Sequence, residues 1–249
     1  MIQQEWNAFE QFRNDFKNQI NSWYSLANQL IPLQMQAAQS DTPPYPIQNP
    51  IVYNTALDSI TKDDSIKLIV IGDNPGKDEQ LNQNKKYLVG QAGKIANGFF
   101  LRNPELNIDF RKNVIILNKT PIHSAKTNHL KYLLKNGSPK INELITESQL
   151  WMAEQTAILH SKLNAQLWLV GYSELKEKKI FSPYRDKLRE TYKLQNQESS
   201  WNKVFVFQHF SMNRFSIDLK NFQEQNKNLS LQESIEQIGT IHKNEIFQN

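Results

Sequence analysis

Leu68-Ile69-Val70-Ile71-Gly72-Asp73-Asn74-Pro75-Gly76 is the stretch whose reading decides the fold. Four consecutive apolar residues, Leu68 to Ile71, match a strand covered on both faces rather than a half-exposed one, which would alternate. Gly72 and Gly76 bracket a turn, where glycine adopts backbone angles closed to other residues. Between them sit a carboxylate, Asp73, and an amide, Asn74. In open α/β sheets the carboxyl ends of the strands are where ligands bind. The turn is therefore a candidate reaction site.

Working outward, further apolar runs repeat the pattern. Val114-Ile115-Ile116-Leu117-Asn118, Leu167-Trp168-Leu169-Val170-Gly171 and Val204-Phe205-Val206-Phe207 each read as a buried strand. The second of the four ends at Asn118 and the last runs into Gln208-His209. Helical periodicity fills the gaps. Phe9, Phe12, Phe16, Ile20, Trp23, Ala27 and Leu30 form one apolar stripe over residues 4–31, with Pro32 near its end. A helix is expected over 92–101, and another begins near Thr127, whose side chain can cap it. Leu144, Ile145, Trp151, Met152, Ile158, Leu159 and Leu163 mark a longer helix. Asp218 and Leu219 fall in a C-terminal helix, followed by an amphipathic segment at 231–238. Strands alternating with helices predict an α/β fold, a three-layer α/β/α sandwich around a central, mainly parallel four-stranded sheet. One domain is expected over residues 1–249. Its first 50 residues would form a helical extension and, from Thr42 to Pro50, a Pro-rich extended connector.

Composition removes several classes of chemistry. With 39% hydrophobic and 22% charged residues, the 249-residue chain is suited to a packed globular core. It has no cysteine, so disulfides, thiol nucleophiles and cysteine-held zinc or iron–sulfur centres are excluded. The five histidines follow no metal-ligand spacing. No apolar run approaches bilayer length, and Met1 to Trp6 carry neither a basic flank nor an apolar signal core. The expectation is a cytoplasmic monomer without metal or cofactor. A formal charge of +4 leans mildly toward polyanions. Lys77, Lys85, Lys86 and Lys94 follow the turn, and Lys119 and Lys126 follow the second strand, where loop lysines can meet phosphates. The turn lacks both the G-x-G-x-x-G spacing and a Gly-Lys-Ser/Thr ending, which argues against a nucleotide-binding Rossmann or P-loop enzyme.

Three segments together resemble the uracil-DNA glycosylase superfamily over roughly residues 66–220. Gly72-Asp73-Asn74-Pro75-Gly76, followed by Val89-Gly90-Gln91-Ala92-Gly93, is similar to the G-E-A-P-G turn and P-F-V-G-x-A-G segment of its thermophile-type families. Val114 to Asn118 resembles the strand and asparagine that read uracil. His209-Phe210-Ser211-Met212-Asn213-Arg214 occupies the place of the H-P-S-P loop. Departures are equally plain. Asp73 stands where the thermophile type has Glu, and Asn74 matches the G-x-N-P-G turn of other branches. Thirteen residues separate Gly76 from Gly90, slightly more than the resemblance implies. Leu88 fills the position of the base-stacking aromatic, with Tyr87 beside it as a substitute. Phe210 and Met212 replace both prolines. The four cluster-holding cysteines of the thermophile type are missing.

The resemblance implies a metal-independent hydrolysis of the N-glycosidic bond of uracil in DNA, with DNA as partner. Asp73, Asn74 and His209 would be catalytic: His209 donates to the departing base, and Asp73 or Asn74 positions the water. Asn118, Gly72, Gly76, Tyr87 and Leu88 would line the base pocket. Ser211, Met212, Asn213, Arg214, Lys119 and Lys94 would contact DNA, with Met212 or Phe215 as the wedge replacing a flipped base. Gly76 leaves room where uracil-selective relatives place a tyrosine, so relaxed base selectivity is expected. Loss of the stacking aromatic and of the H-P-S-P prolines keeps a second reading open: a non-catalytic member that binds DNA, a nucleobase or a protein.

Overall fold

The computed structural model of the chain describes residues 1–247. Four strands, β1 (Leu68–Gly72), β2 (Val114–Asn118), β3 (Gln166–Val170) and β4 (Val204–Phe207), form one sheet in the order β2-β1-β3-β4. Every pairing is parallel. The expected three-layer α/β/α sandwich is therefore what the chain forms, with all four strands running the same way.

Strand periodicity divides the core in two. Ile69, Ile71, Ile115, Leu117, Leu167, Leu169, Val204 and Val206 point to one face. There they meet α1 (Gln3–Trp23), α2 (Ala27–Gln39), α4 (His129–Asn136), α5 (Pro139–Lys162) and α6 (Ser182–Leu194). The alternate residues, among them Val70, Ile116, Trp168 and Phe207, point to the other face. This second core is completed by α3 (Gln91–Arg102), α8 (Arg214–Gln225) and α9 (Leu231–Phe247). A short helix, α7 (Glu198–Trp201), precedes β4.

Two expectations about local structure need correction. The N-terminal helix does not run unbroken to residue 31: a 3-10 turn at Tyr24–Leu26 separates α1 from α2, and Pro32 lies inside α2. The apolar stripe of the N-terminal segment packs as core, as its helical spacing implies. Phe9, Phe12, Phe16, Ile20 and Trp23 are buried in the same core as β1 and β2, so α1 is part of one helical layer. The Pro-rich connector is tied down across its far end. Gln80 Nε2 donates to Pro46 O at 2.8 Å, and Gln34 Nε2 donates to Pro50 O at 2.9 Å. Thr127 caps no helix; α4 begins at His129, and the Thr127 hydroxyl is used elsewhere. Among the described residues no helix is long and apolar enough to cross a membrane.

Two buried histidines make the fold sensitive to acid. His160 Nε2 donates to Ala165 O at 3.0 Å, while its Nδ1 accepts from the Tyr192 hydroxyl. His123 Nδ1 donates to Pro75 O at 2.9 Å and its Nε2 accepts from the Tyr45 hydroxyl at 2.9 Å. Burial pushes each imidazole down to about 4 from its ordinary 6.5. Between these values the unfolded chain binds more protons than the folded one, so stability falls as pH drops through that window. Up to about 3 kcal/mol per histidine is at stake. Between pH 6.5 and pH 4 the urea midpoint of His160→Gln is expected to lose less, or gain more, than that of the parent protein, because the substitution removes one proton taken up only on unfolding. Parallel profiles of the two proteins contradict this account.

Candidate active site

Four parallel strands deliver their carboxyl ends to one edge, and a cavity of about 700 Å³ opens there. That volume lies within the range of roughly 300–1,000 Å³ common to small-molecule sites. Asp73, Asn74, Gly76, Leu88, Asn118 and His209, expected to share one site, all line it. A separate groove of about 470 Å³ between α2 and Pro43-Pro44 contains no carboxylate, imidazole or ammonium group to carry chemistry.

Asn118 is placed by the sheet itself. Its register partner across the β1–β2 pair is Gly72. A side chain at position 72 would bring a Cβ to 2.5 Å from Asn118 Oδ1, so glycine there lets the amide lie across the neighbouring strand. Asn118 is 2% exposed, yet Nδ2 has no hydrogen-bond partner. Gly72 is thus a spacer beneath the Asn118 amide rather than a residue of the cavity surface. Gly76 does line the cavity, and a Cβ added to it would meet nothing within 4 Å.

Asn74 and Asp73 are anchored differently. Asn74 Nδ2 donates to Ser124 O at 3.0 Å and to Ser124 Oγ at 2.9 Å. Its orientation is fixed, and Oδ1 is left with no donor among the described residues. Asp73 Oδ1 accepts from Lys119 Nζ at 2.5 Å, and Oδ2 accepts from the Thr127 hydroxyl at 3.2 Å. Lys119 is fully buried, which lowers its ammonium pKa, while the facing Asp73 charge opposes that shift. It therefore cannot contact DNA; β-strand alternation turns it inward where Asn118 faces the cavity.

His209 follows β4. The Ser211 N–H donates to its Nδ1 at 3.1 Å, and the Ser211 hydroxyl lies 2.7 Å from the same nitrogen. Nδ1 is thus an acceptor, and a neutral ring carries its proton on Nε2. Burial holds the imidazole below its ordinary pKa, with Lys119 and Arg214 adding to the effect and Asp73 opposing it. Ser211 orients the histidine. Met212 and Asn213 both adopt left-handed backbone, with φ +56° each. Met212 is 68% exposed on the cavity wall, and exposed Arg214 stands beside it. Phe210 is buried against Phe110 and Phe215, anchoring the loop in the core where the resemblance places a proline.

Several expected residues do other work. Tyr87 is 1% exposed, with its hydroxyl donating to Val52 O at 2.5 Å, so it cannot replace a stacking aromatic. Phe215 is 2% exposed within the core and cannot act as a wedge. Lys94 is exposed on α3 and does not line the cavity. Leu88 lines the cavity with φ +50°, its carbonyl accepting from Arg111 Nη2 at 2.6 Å.

Other wall residues were not anticipated. Glu79 accepts from the Gly76 N–H at 3.0 Å, and burial pushes its carboxyl up to about 7 against the pull of the Gly76, Leu88 and Val89 amides. Thr127, Gly171 and Ser124 also line the cavity. Gly171 is the one with a sequence signal, a glycine closing a strand. Its φ is +94°, and an added Cβ would press into Asp73 Oδ1. No family model matches the chain, and no curated protein or solved structure does. Among the described residues no three His, Asp or Glu side chains converge to hold a metal ion.

Gly171→Ala should destabilise the protein by at least about 1–2 kcal/mol, the cost of left-handed backbone alone. Denaturant unfolding checks this, and an unchanged midpoint would show that the tight seat of Asp73 against Gly171 is not needed.

Proposed function

We propose that this protein is a DNA glycosylase of the uracil-DNA glycosylase type, hydrolysing the N-glycosidic bond of uracil and acting as a monomer. The observation that carries the reading is the Asn118 amide, buried at a strand end with its Nδ2 unpartnered. An unmade buried hydrogen bond costs about 1–3 kcal/mol, so such a group is accounted for by a ligand that completes it. An amide offers one donor edge and one acceptor edge, matching the O4 and N3–H edge of uracil. Cytosine reverses both, presenting an amino donor and a ring-nitrogen acceptor.

Cleavage builds positive charge on the sugar and negative charge on the leaving base. His209, neutral with its proton on Nε2, supplies a donor for the base oxygen without itself having to lose charge. The Asn74 Oδ1 acceptor can orient the attacking water, since its Nδ2 is committed to Ser124. Asp73 contributes negative charge beside the sugar. Met212, exposed and held in left-handed backbone, suits the space left by a flipped base. Lys77, Lys126 and Arg214 on the wall suit flanking phosphates.

The alternative, a non-catalytic protein that binds DNA or a nucleobase, draws on one observation: Asp73 faces the cavity already paired with Lys119. Its charge toward the sugar is correspondingly offset.

Incubation with uracil-containing single-stranded, U:A and U:G oligonucleotides should yield alkali-labile sites. His209→Ala and Asn118→Ala should each lower turnover by about 100-fold or more, as removal of one transition-state donor does elsewhere. Binding without base release, unaffected by His209→Ala, would favour the alternative. Because no side chain fills the space over Gly76, release of at least one bulkier base, such as thymine or a deaminated purine, is expected in the same assay. Strict rejection of all of them would mean that another group closes that side.

A further inference from the structure

Asp73 faces the cavity, but what holds it there lies underneath. Lys119 Nζ has three N–H donors and three acceptors within reach: Asp73 Oδ1 at 2.5 Å, Val170 O at 2.6 Å and Gly72 O at 3.5 Å. Two of these are backbone carbonyls at the ends of β3 and β1, so the ammonium is fixed by the sheet rather than by the carboxylate alone. It also stands 5.0 Å over the Phe181 ring. Asp73 is hemmed in on its remaining sides by the Thr127 hydroxyl and by the bare Cα of Gly171. The carboxylate side chain keeps 11% exposure while the lysine has none. The negative end of the pair therefore opens to the cavity, and the positive end is sealed beneath it.

We propose that Lys119 is a positioning residue: anchored by the ends of β1 and β3, it aims the Asp73 carboxylate into the cavity and offsets its charge toward His209. This goes beyond the glycosylase reading and rests on it only for the catalytic consequence. β4, which ends two residues before His209, lies two strand spacings from β1, roughly 10 Å along the edge. At that range in a partly desolvated site, one uncompensated charge moves an imidazole by roughly half to one pH unit. The charged groups acting on His209 come from each neighbouring element. Asp73 after β1 favours its protonated form, while Lys119 after β2 and Arg214 on α8 oppose it. Glu174 after β3 lies on the same cavity wall. Without Lys119, the Asp73 charge would favour an imidazolium, which a neutral-donor role for His209 requires the site to avoid.

The test is an NMR titration of the His209 imidazole, which needs no catalytic turnover. Lys119→Met should raise its midpoint by roughly half to one pH unit. Asp73→Asn should lower it, Lys119→Met/Asp73→Asn should return it near the parent value, and Lys119→Arg should preserve it. An unchanged or lowered midpoint in Lys119→Met overturns the proposal. Should that variant fail to fold, Asp73→Asn decides alone: a midpoint that stays or rises overturns it. In an active protein, the acid limb of uracil release should move with the imidazole midpoint in every variant, and a limb that ignores it also overturns the proposal. The expected NMR shifts in a protein that releases no base would uphold the pairing and sink only the glycosylase reading.

Discussion

A buried ammonium ties together the carboxyl edge of the sheet. Desolvating a lysine costs several kcal/mol unless its donors are met. Here each N–H of Lys119 has an acceptor, two of them strand-end carbonyls and one a carboxylate. Parallel strands end with carbonyls that have no next residue to pair them, and turns must begin there without leaving those oxygens stranded. Lys119 meets both needs: its ammonium bonds Val170 O at 2.6 Å, and its backbone N–H bonds Gly72 O at 3.0 Å. The same ammonium that satisfies the Val170 carbonyl orients Asp73, so strand termination and site construction are one event.

Around that anchor, the polar side chains of the site divide into those already committed and those still available. Asn74 Nδ2 is bound to Ser124, Thr127 to Asp73, and Ser211 to His209. What faces the cavity unpaired is an acceptor on Asn74, the amide of Asn118 and, in the neutral tautomer, a donor on His209. Each is held by a neighbour that does not itself need to touch a ligand. Such support fixes geometry before anything binds, which lowers the ordering cost at the moment of binding.

The fold was legible in the sequence because buried parallel strands leave an unmistakable mark, continuous apolar runs such as Leu68 to Ile71 closed by turn residues. The sharing of one edge by Asp73, Asn118 and His209 follows from the parallel topology those runs imply. Side-chain direction was the blind spot. Lys119 reads as a surface charge, and only the register beside Gly72 reveals that it turns under the sheet. Tyr87 and Leu88 are adjacent, and nothing local says which faces inward; left-handed backbone at Leu88 decides it. Thr127 looks like a helix cap because its bond to Asp73 spans 54 residues of chain. The break at Tyr24–Leu26 interrupts an apolar stripe whose spacing continues through it, so periodicity alone could not locate it.

The pairing of Gly72 with Asn118 gives the cavity two walls of different make. One wall is sheet: its amide sits at a paired strand residue and inherits the immobility of the core. The opposite wall is the irregular stretch from Gly76 to Gly90, steadied by the Glu79 carboxylate and by Arg111 reaching the Leu88 carbonyl. The asparagine is held by strand pairing, the loop by side-chain bonds such as Gln80 to Pro46 and Tyr87 to Val52. Hydrogen-bonding groups set by the sheet and shape set by the loop therefore belong to different walls of the same cavity, and sequence change in the loop can alter the second while leaving the first intact.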